Sequence, residues 1–218
     1  NTLQAAIESK VMEFAPGQGN QTIGNALESF KKKKSNQIVQ LIKDGTVTGK
    51  SNSEIIRDLR HVIEKLQRHN AEALIRTITN HVSTVARMET LKENADVLEG
   101  YEIVATLDGS TTLICADLDG TIFPIDEVRY PPFHWNCRTT VIPKVKPKYD
   151  IGAKLTGERP AVNEDGAEQV GANKTFGGWL RDQSDDFKSE YFSKLKNGEE
   201  KYKLFESGGL SIKKFTDE

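Results

Sequence analysis

The sequence predicts an α+β protein with a helical N-terminal arm, a small antiparallel β-sheet unit and short C-terminal helices. Three observations lead to this prediction. Apolar residues recur with the period of a one-sided helix through most of residues 1–98. Strand-forming residues alternate after Gly100 and are followed by turn signals. Helix caps and short helical patterns return only from residue 175 onward.

The N-terminal arm, residues 1–98, contains several amphipathic patterns separated by Pro, Gly and Asn. Ser51 or Ser53 is expected to cap one helix, with Glu54 in its first turn. The most regular pattern begins at Ala71. The apolar positions of these patterns are Leu3, Ile7, Val11, Ile23, Leu27, Phe30, Ile38, Leu41, Ile42, Ile55, Leu59, Val62, Leu66, Leu74, Ile78, Val82 and Val85. We expect some of this apolar surface to dock on another subunit, and the alternative is a self-contained bundle.

The rest of the chain divides into three parts. The compact β-rich unit spans residues 99–143 and contains two Asp-Gly turn signals. Residues 144–174 are rich in Lys, Pro, Gly and Asn and are predicted to be a loop or linker. In the C-terminal helical segment, residues 175–218, Thr175 and Ser184 are expected to cap the first two helices.

The composition excludes several classes of protein. The 218 residues include 30 Lys and Arg against 32 Asp and Glu, so strong non-specific affinity of the whole chain for nucleic acid is not expected. No apolar run approaches the roughly 18–20 residues of a membrane span, so no membrane partner is expected. Two cysteines are too few for a disulfide-stapled scaffold.

Four consecutive lysines lie inside a helical pattern, namely Lys31, Lys32, Lys33 and Lys34. Consecutive cations wrap around a helix and do not mark one face. They are either a solvated surface or a contact with DNA phosphates or an acidic partner. A DNA-binding module that uses the basic N-terminal region is therefore one alternative function.

The string from Asp117 to Thr121 is similar to the nucleophile loop of haloacid-dehalogenase-like phosphatases. Asp117 would be the nucleophile and Asp119 the general acid and base. However, an Asp-Gly turn accounts for the same residues. The chain that follows also lacks the alternating strands and helices of such an enzyme. We therefore expect no enzyme and no cofactor, and the phosphatase remains an alternative.

Cys115, His134 and Cys137 are the candidate metal ligands. The His-x-x-Cys spacing allows a tight turn to aim two side chains at one zinc ion. A structural zinc needs four ligands, and the sequence offers no clear fourth, with Asp117 and Asp119 as weak candidates. The alternatives are a buried cysteine with a hydrogen-bonded histidine, a zinc site, and a disulfide between Cys115 and Cys137. The first is the expectation, so no metal is predicted.

Several strings between residues 84 and 143 together carry a family resemblance. The most specific runs from Pro131 to Arg138 and reads Pro-Pro-Phe-His-Trp-Asn-Cys-Arg. The others are Ala86–Glu89, Asn94–Ala95, Gly100–Asp108 and Cys115–Phe123, with weaker likeness at residues 175–215. These strings resemble the Mu F-like head morphogenesis family of tailed phages, also called minor head or minor capsid proteins. The chain departs from the family pattern at two positions. Relatives usually have Arg at the position of Ser110 and often have Cys at the position of Thr139.

The resemblance implies a structural minor head protein, in the capsid interior or at its neck, that acts in head morphogenesis and in DNA packaging or ejection. Its implied partners are the portal protein, the major capsid protein and phage DNA, and its implied location is the virion, with the host cytoplasm during assembly. Asp119 and Gly120 would turn a hairpin, and Arg138 would pair with Asp108 or Asp117. The implied core motif is Asp108, Cys115, Asp119, Gly120, Pro131, Pro132, His134, Cys137 and Arg138.

Overall fold

The computed structural model describes residues 22–23, 32–63, 68–149 and 157–207. Its helices are α1 (Lys32–Val47), α2 (Asn52–Ile63), α3 (Arg68–Glu93), α4 (Leu113–Leu118), α5 (Phe176–Arg181), α6 (Asp185–Ser193) and α7 (Gly198–Glu206), with a 3-10 turn at Pro147–Tyr149. Its strands are β1 (Leu98–Val104), β2 (Leu107–Asp108), β3 (Ile122–Pro124), β4 (Thr140–Val145), β5 (Glu158–Asn163) and β6 (Gly166–Gly171). This mixture of helices and small sheets confirms the predicted α+β class.

Helices α1, α2 and α3 begin and pack as their local sequence dictates. Ser51 and Glu54 form a capping box before α2, in which each side chain accepts a hydrogen bond from the other residue's backbone N–H. Gly45 lets α1 approach α2 closely, because a Cβ atom there would lie 2.7 Å from the Ile55 side chain. None of the helices in the described ranges is long and apolar enough to cross a membrane.

The first sheet has the strand order β3-β1-β4, with both pairs antiparallel. Its inner face presents Tyr101, Ile103 and Val141, all fully buried, to the helices. One continuous core therefore joins the helices to this sheet. Its members include Ile23, Ile38, Ile42, Ile55, Leu59, Leu74, Ile78, Val82, Val85, Met88, Tyr101, Ile103, Cys115, Cys137 and Val141.

This shared core bears on the expected docking role of the helical arm. The described apolar stripes of α1, α2 and α3 are buried within the chain itself, which favours the self-contained packing over an open face. The core also crosses the predicted boundary between residues 98 and 99. The stripe positions at Leu3, Ile7, Val11, Leu27, Phe30 and Leu66 lie outside the described residues.

The second sheet corrects the prediction of a loop over residues 144–174. Its strand order is β2-β5-β6, with β2 parallel to β5, and β5 and β6 form an antiparallel hairpin whose turn is Glu164 and Asp165. Sequence patterning missed this hairpin because Ala161 is its one buried residue, so apolar alternation is weak. An Asp-Gly signal was present at the end of this turn, and Gly166, the first residue of β6, has a φ of +116°, which favours glycine.

The C-terminal helices enclose a second core that is rich in aromatic rings. The Thr175 and Ser184 side chains accept hydrogen bonds from the N–H groups of Gly178 and Phe187, which confirms both predicted caps. The buried members of this core are Leu107, Ala116, Ala161, Phe176, Trp179, Leu180, Tyr191, Phe192 and Phe205. The short helix α4 lies between the two cores, since Cys115 belongs to the first and Ala116 to the second.

Candidate functional site

Cys115, His134 and Cys137 meet in one cluster at the junction of α4 with the loop that connects β3 to β4. The Cys115 Sγ atom lies 3.1 Å from His134 Nε2 and 3.8 Å from Cys137 Sγ. All three possible ligand atoms lie within 4.8 Å of one another. Both cysteines are free thiols and buried, whereas His134 is partly exposed. Sulfur and imidazole are the donor types that zinc prefers in proteins.

The orientation of the His134 ring is fixed by a backbone contact. Its Nδ1 atom lies 2.7 Å from the carbonyl oxygen of Trp135. A carbonyl oxygen can only accept a hydrogen bond, so Nδ1 carries the proton. The other ring nitrogen, Nε2, faces the two sulfurs.

The three side chains of the cluster shift one another's pKa values. The hydrogen bond between the two sulfurs lowers the pKa of Cys137 and raises the pKa of Cys115 well above its ordinary value. Burial lowers the pKa of His134, but its interaction with the Cys137 sulfur outweighs burial and raises that pKa overall. The two thiols thus share one proton, because a second thiolate at this distance would be repelled by the first.

Helix α3 holds the loop that carries the cluster. The Asn80 Nδ2 atom donates to the carbonyl oxygens of Cys137, at 2.9 Å, and of Thr139, at 3.0 Å. The Asn136 N–H donates to the Thr77 hydroxyl at 2.8 Å. Asn136 adopts a left-handed backbone conformation with φ of 64°, which asparagine tolerates better than most residues. These bonds fix the backbone on both sides of Cys137.

Two arginines of α3 also contact this loop and the start of β4. Arg76 donates to the Asn136 side-chain oxygen at 2.5 Å. Arg87 donates to the Thr140 hydroxyl and to the Val141 carbonyl oxygen, each at 2.6 Å. Arg87 belongs to one of the strings that carry the family resemblance. Sequence reasoning did not assign a role to Thr77, Asn80 or either arginine, because nothing local shows which loop a helix side chain will meet.

Arg138 pairs with Asp108, one of the two acids expected from the sequence. Its Nη2 atom donates to Asp108 Oδ1 at 2.8 Å, and its Nη1 atom donates to Oδ2, so the pair is bidentate. The Ser110 N–H also donates to the Asp108 carboxylate, at 2.9 Å. Burial raises the pKa of Asp108, but the hydrogen bond and charge of Arg138 outweigh it and hold that pKa below its ordinary value.

Asp119 forms a second polar centre, which joins the two cores. Its carboxylate is fully buried and accepts hydrogen bonds from the N–H groups of Ala105 and Phe176, both at 2.7 Å. Arg159 of β5 donates to both carboxylate oxygens, at 3.1 and 3.2 Å. The same guanidinium donates to the Lys174 carbonyl oxygen at 2.9 Å. Arg159 was missed because it lies in the segment predicted to be a linker.

The structure around Asp119 argues against the phosphatase alternative and corrects the expected hairpin turn in the Asp117–Thr121 string. Asp117 lies inside helix α4 and not at a strand end, and Asp119 is occupied by backbone N–H groups and Arg159. The nucleophile loop of a phosphatase is therefore not formed. Gly120, with φ of +76°, turns the chain from α4 into β3, so this is not the turn of a β-hairpin.

The remaining predicted residues lie at the edge of the cluster or outside it. A cis peptide bond joins Pro131 to Pro132 just before His134. Of the four consecutive lysines, Lys31 and the side chains of Lys32, Lys33 and Lys34 lie outside the described residues.

A cavity of about 280 Å³ adjoins the cluster. Cys115 and His134 lie in its wall, whereas Cys137 does not. Arg76 and Arg138 flank it, and the other contributors are mainly hydroxyl-bearing: Ser110, Thr111, Thr112 and Thr139. The cluster is therefore reachable by water and small ions from its Cys115 and His134 side.

Comparison with known proteins finds one family match. The model of the family described as Phage Mu protein F like protein matches residues 36–142, from within α1 to within β4, and this range includes the whole cluster. No curated protein and no solved structure matches the chain. The match confirms the resemblance seen at residues 84–143 and extends it into the helical arm, while the likeness at 175–215 stays a prediction. Residues 36–142 of the chain are therefore similar to the Phage Mu protein F like family, as the sequence motifs predicted.

Proposed function

We propose that this protein is a structural minor head protein of a tailed phage that acts in head morphogenesis. The family match over residues 36–142 is the observation that carries the proposal. The matched segment contains α2, α3, β1, β3 and the first half of β4. These elements share one core and therefore form one folded unit. A rigid unit of this kind suits a stoichiometric component of an assembly.

A non-enzymatic role is part of the proposal. The phosphatase alternative needs Asp117 at a strand end with a second free acid two residues later. Helix α4 and the Asp119–Arg159 ion pair provide neither. The family match supports the structural role from a separate direction.

The proposed partners are the portal protein and the major capsid protein, with phage DNA as a third. The described apolar positions of α1, α2 and α3 are buried within the chain, and for this reason we look for the docking surface outside them. We place it in residues 1–21. A deletion of that segment leaves Ile23, Ile38 and Ile42 of the first core in place, whereas a deletion of residues 1–50 would remove all three.

The first experiment locates the protein. Particles of the phage that encodes the chain are purified, treated with nuclease and examined by quantitative mass spectrometry. We expect the chain to be present at a fixed ratio to the portal protein, and particles made without its gene to be reduced in number or in packaged DNA. Absence of the chain from intact heads would show that it is not a head component.

The second experiment identifies the partner. Cross-linking within purified heads is followed by mapping of the cross-linked peptides, and the deletion of residues 1–21 is compared with the full chain. We expect cross-links to the portal or the capsid protein, and loss of incorporation for the deletion even though it is folded. Normal incorporation of the deleted chain would place the docking surface elsewhere. Cross-links to DNA alone would favour the DNA-binding alternative.

A further inference from the structure

We propose that Cys115, His134 and Cys137 bind one zinc ion through three protein ligands, with the fourth coordination position open to the adjoining cavity. The sequence argued against zinc because no fourth ligand was visible. That objection applies to a closed structural site, whereas an open site needs three protein ligands and a water molecule. Among the described residues, no further Cys, His, Asp or Glu joins the group.

The distances between the ligand atoms fit a tetrahedral ion. Zn–S bonds of about 2.3 Å and Zn–N bonds of about 2.0 Å at tetrahedral angles place two sulfurs about 3.8 Å apart, and a sulfur and a nitrogen about 3.5 Å apart. The two cysteine sulfurs are separated by 3.8 Å. His134 Nε2 is 3.1 Å from the Cys115 sulfur, about half an ångström short of the tetrahedral value, and lies within 4.8 Å of the Cys137 sulfur.

The surroundings of His134 support a role as a metal ligand. A zinc-bound histidine usually donates its other ring N–H to a carbonyl or carboxylate, which fixes both the tautomer and the ring orientation. The Trp135 carbonyl oxygen accepts this bond from Nδ1 at 2.7 Å. The Nε2 atom consequently points at the two sulfurs, and it is the ring atom that would bind the metal.

Charge balance supports the same ion. The two sulfurs are buried and lie 3.8 Å apart, so two thiolates here would need a cation between them. A divalent zinc ion neutralises two thiolates. Arg138 in the cavity wall is already paired with Asp108, so it is not a substitute for the metal.

The open position follows from where the cluster lies. Cys115 and His134 line the cavity of about 280 Å³, so a water molecule or a small anion can reach the ion from that side. The hydroxyls of Thr111 and Thr139 also border this space. The ion would tie α4 to the loop before β4 and would contribute to the stability of the fold.

The test begins with the metal content of the full 218-residue chain, purified without a metal-binding tag and with a reductant present. We expect about one zinc per chain by elemental analysis. The variants Cys115→Ser, Cys137→Ser and His134→Gln should lose most of it, by about tenfold or more. The control His81→Gln, which alters a buried histidine of α3 outside the cluster, should keep its zinc. Circular dichroism checks that each variant is folded.

Cobalt provides a second readout that does not depend on any variant. The wild-type chain is stripped of metal with a chelator and titrated with Co²⁺. We expect the visible bands of a tetrahedral ion with sulfur-to-cobalt charge transfer, and displacement of Co²⁺ by Zn²⁺. Added azide should shift the visible bands, because the fourth position is open, whereas a closed site would not respond.

Three outcomes would overturn the proposal. One is a reduced, folded full chain that binds neither zinc nor cobalt. Another is an isolated chain with no free thiols, which would show that Cys115 and Cys137 form a disulfide. The third is zinc that the three ligand variants retain. If the variants do not fold, the cobalt spectrum of the wild-type chain and its thermal shift with zinc decide the matter.

Discussion

Replacement of Asp119 by Asn tests whether one buried carboxylate joins the two cores. The Asp119 side chain is fully buried, and Arg159, its partner, is 12% exposed. The substitution keeps the shape but removes the charge, and the new amide NH₂ cannot accept a hydrogen bond. Either the Ala105 or the Phe176 N–H then loses its acceptor, and Arg159 loses its counter-charge.

The expected magnitude follows from these losses. An unsatisfied buried N–H costs about 1–3 kcal/mol. Breaking a buried ion pair by removing one partner costs about 3–5 kcal/mol. Because both losses occur in one network they are not additive, and we expect Asp119→Asn to lower the free energy of unfolding by about 3–5 kcal/mol. This is a large share of the roughly 5–15 kcal/mol of a typical domain.

Urea denaturation measures this loss, and the two tryptophans locate it. Trp179 is buried in the second core, whereas Trp135 packs against the first. Versions with one tryptophan replaced by Phe report the two cores separately. We expect the Trp179 transition of Asp119→Asn to move to lower urea than the Trp135 transition. The control is Asp182→Asn, which removes a surface ion pair with Lys174 and should cost no more than about 1 kcal/mol. Equal effects of the two substitutions would refute the reasoning.

Three further substitutions test the contacts of the cluster loop, the Arg138–Asp108 pair and the packing of the first sheet. Asn80→Ala removes both bonds to the loop and should cost about 1–3 kcal/mol and speed modification of Cys137 by a thiol reagent, whereas Ser83→Ala on the same helix should do neither. Arg138→Met should destabilise the chain at neutral pH; because the pKa of Asp108 is depressed on folding, this difference should shrink as pH falls below about 4 in urea titrations, and a constant difference would contradict it. Gly100→Ala should cost about 1–3 kcal/mol, because its Cβ would lie 2.0 Å from the Phe123 carbonyl oxygen, while Gly171→Ala meets no atom within 4 Å and should be neutral in thermal melts.

Local sequence signals predicted the helical part of the fold well. The buried positions Ile55, Leu59 and Ile78 follow the predicted apolar stripes, and the capping residues begin their helices. These features depend on residues within one or two turns of each other, so periodicity and cap chemistry reveal them. The β5–β6 hairpin was not predicted, because a strand pair with one buried residue has almost no apolar alternation.

The candidate site was predicted only where its residues are neighbours in the chain. His134, Cys137 and Arg138 lie within one short motif, and their spacing alone suggested a shared loop. The residues that hold this loop are far away in sequence: Asn80 is 57 positions from Cys137. Arg159 is likewise 40 positions from Asp119. Such contacts are set by how helices and sheets pack, which no local pattern records.

Helix α4 explains why the two polar centres lie so close together. It has six residues, too few to be stable alone, so tertiary contacts at both of its sides must hold it. Cys115, inside the helix, contacts His134 in the loop before β4. Asp119, the first residue after the helix, binds Arg159 of β5 and the Phe176 N–H of α5. The string from Asp117 to Thr121, which resembles a phosphatase loop, is therefore the connection between the two cores. Its second acid, Asp119, has a structural role.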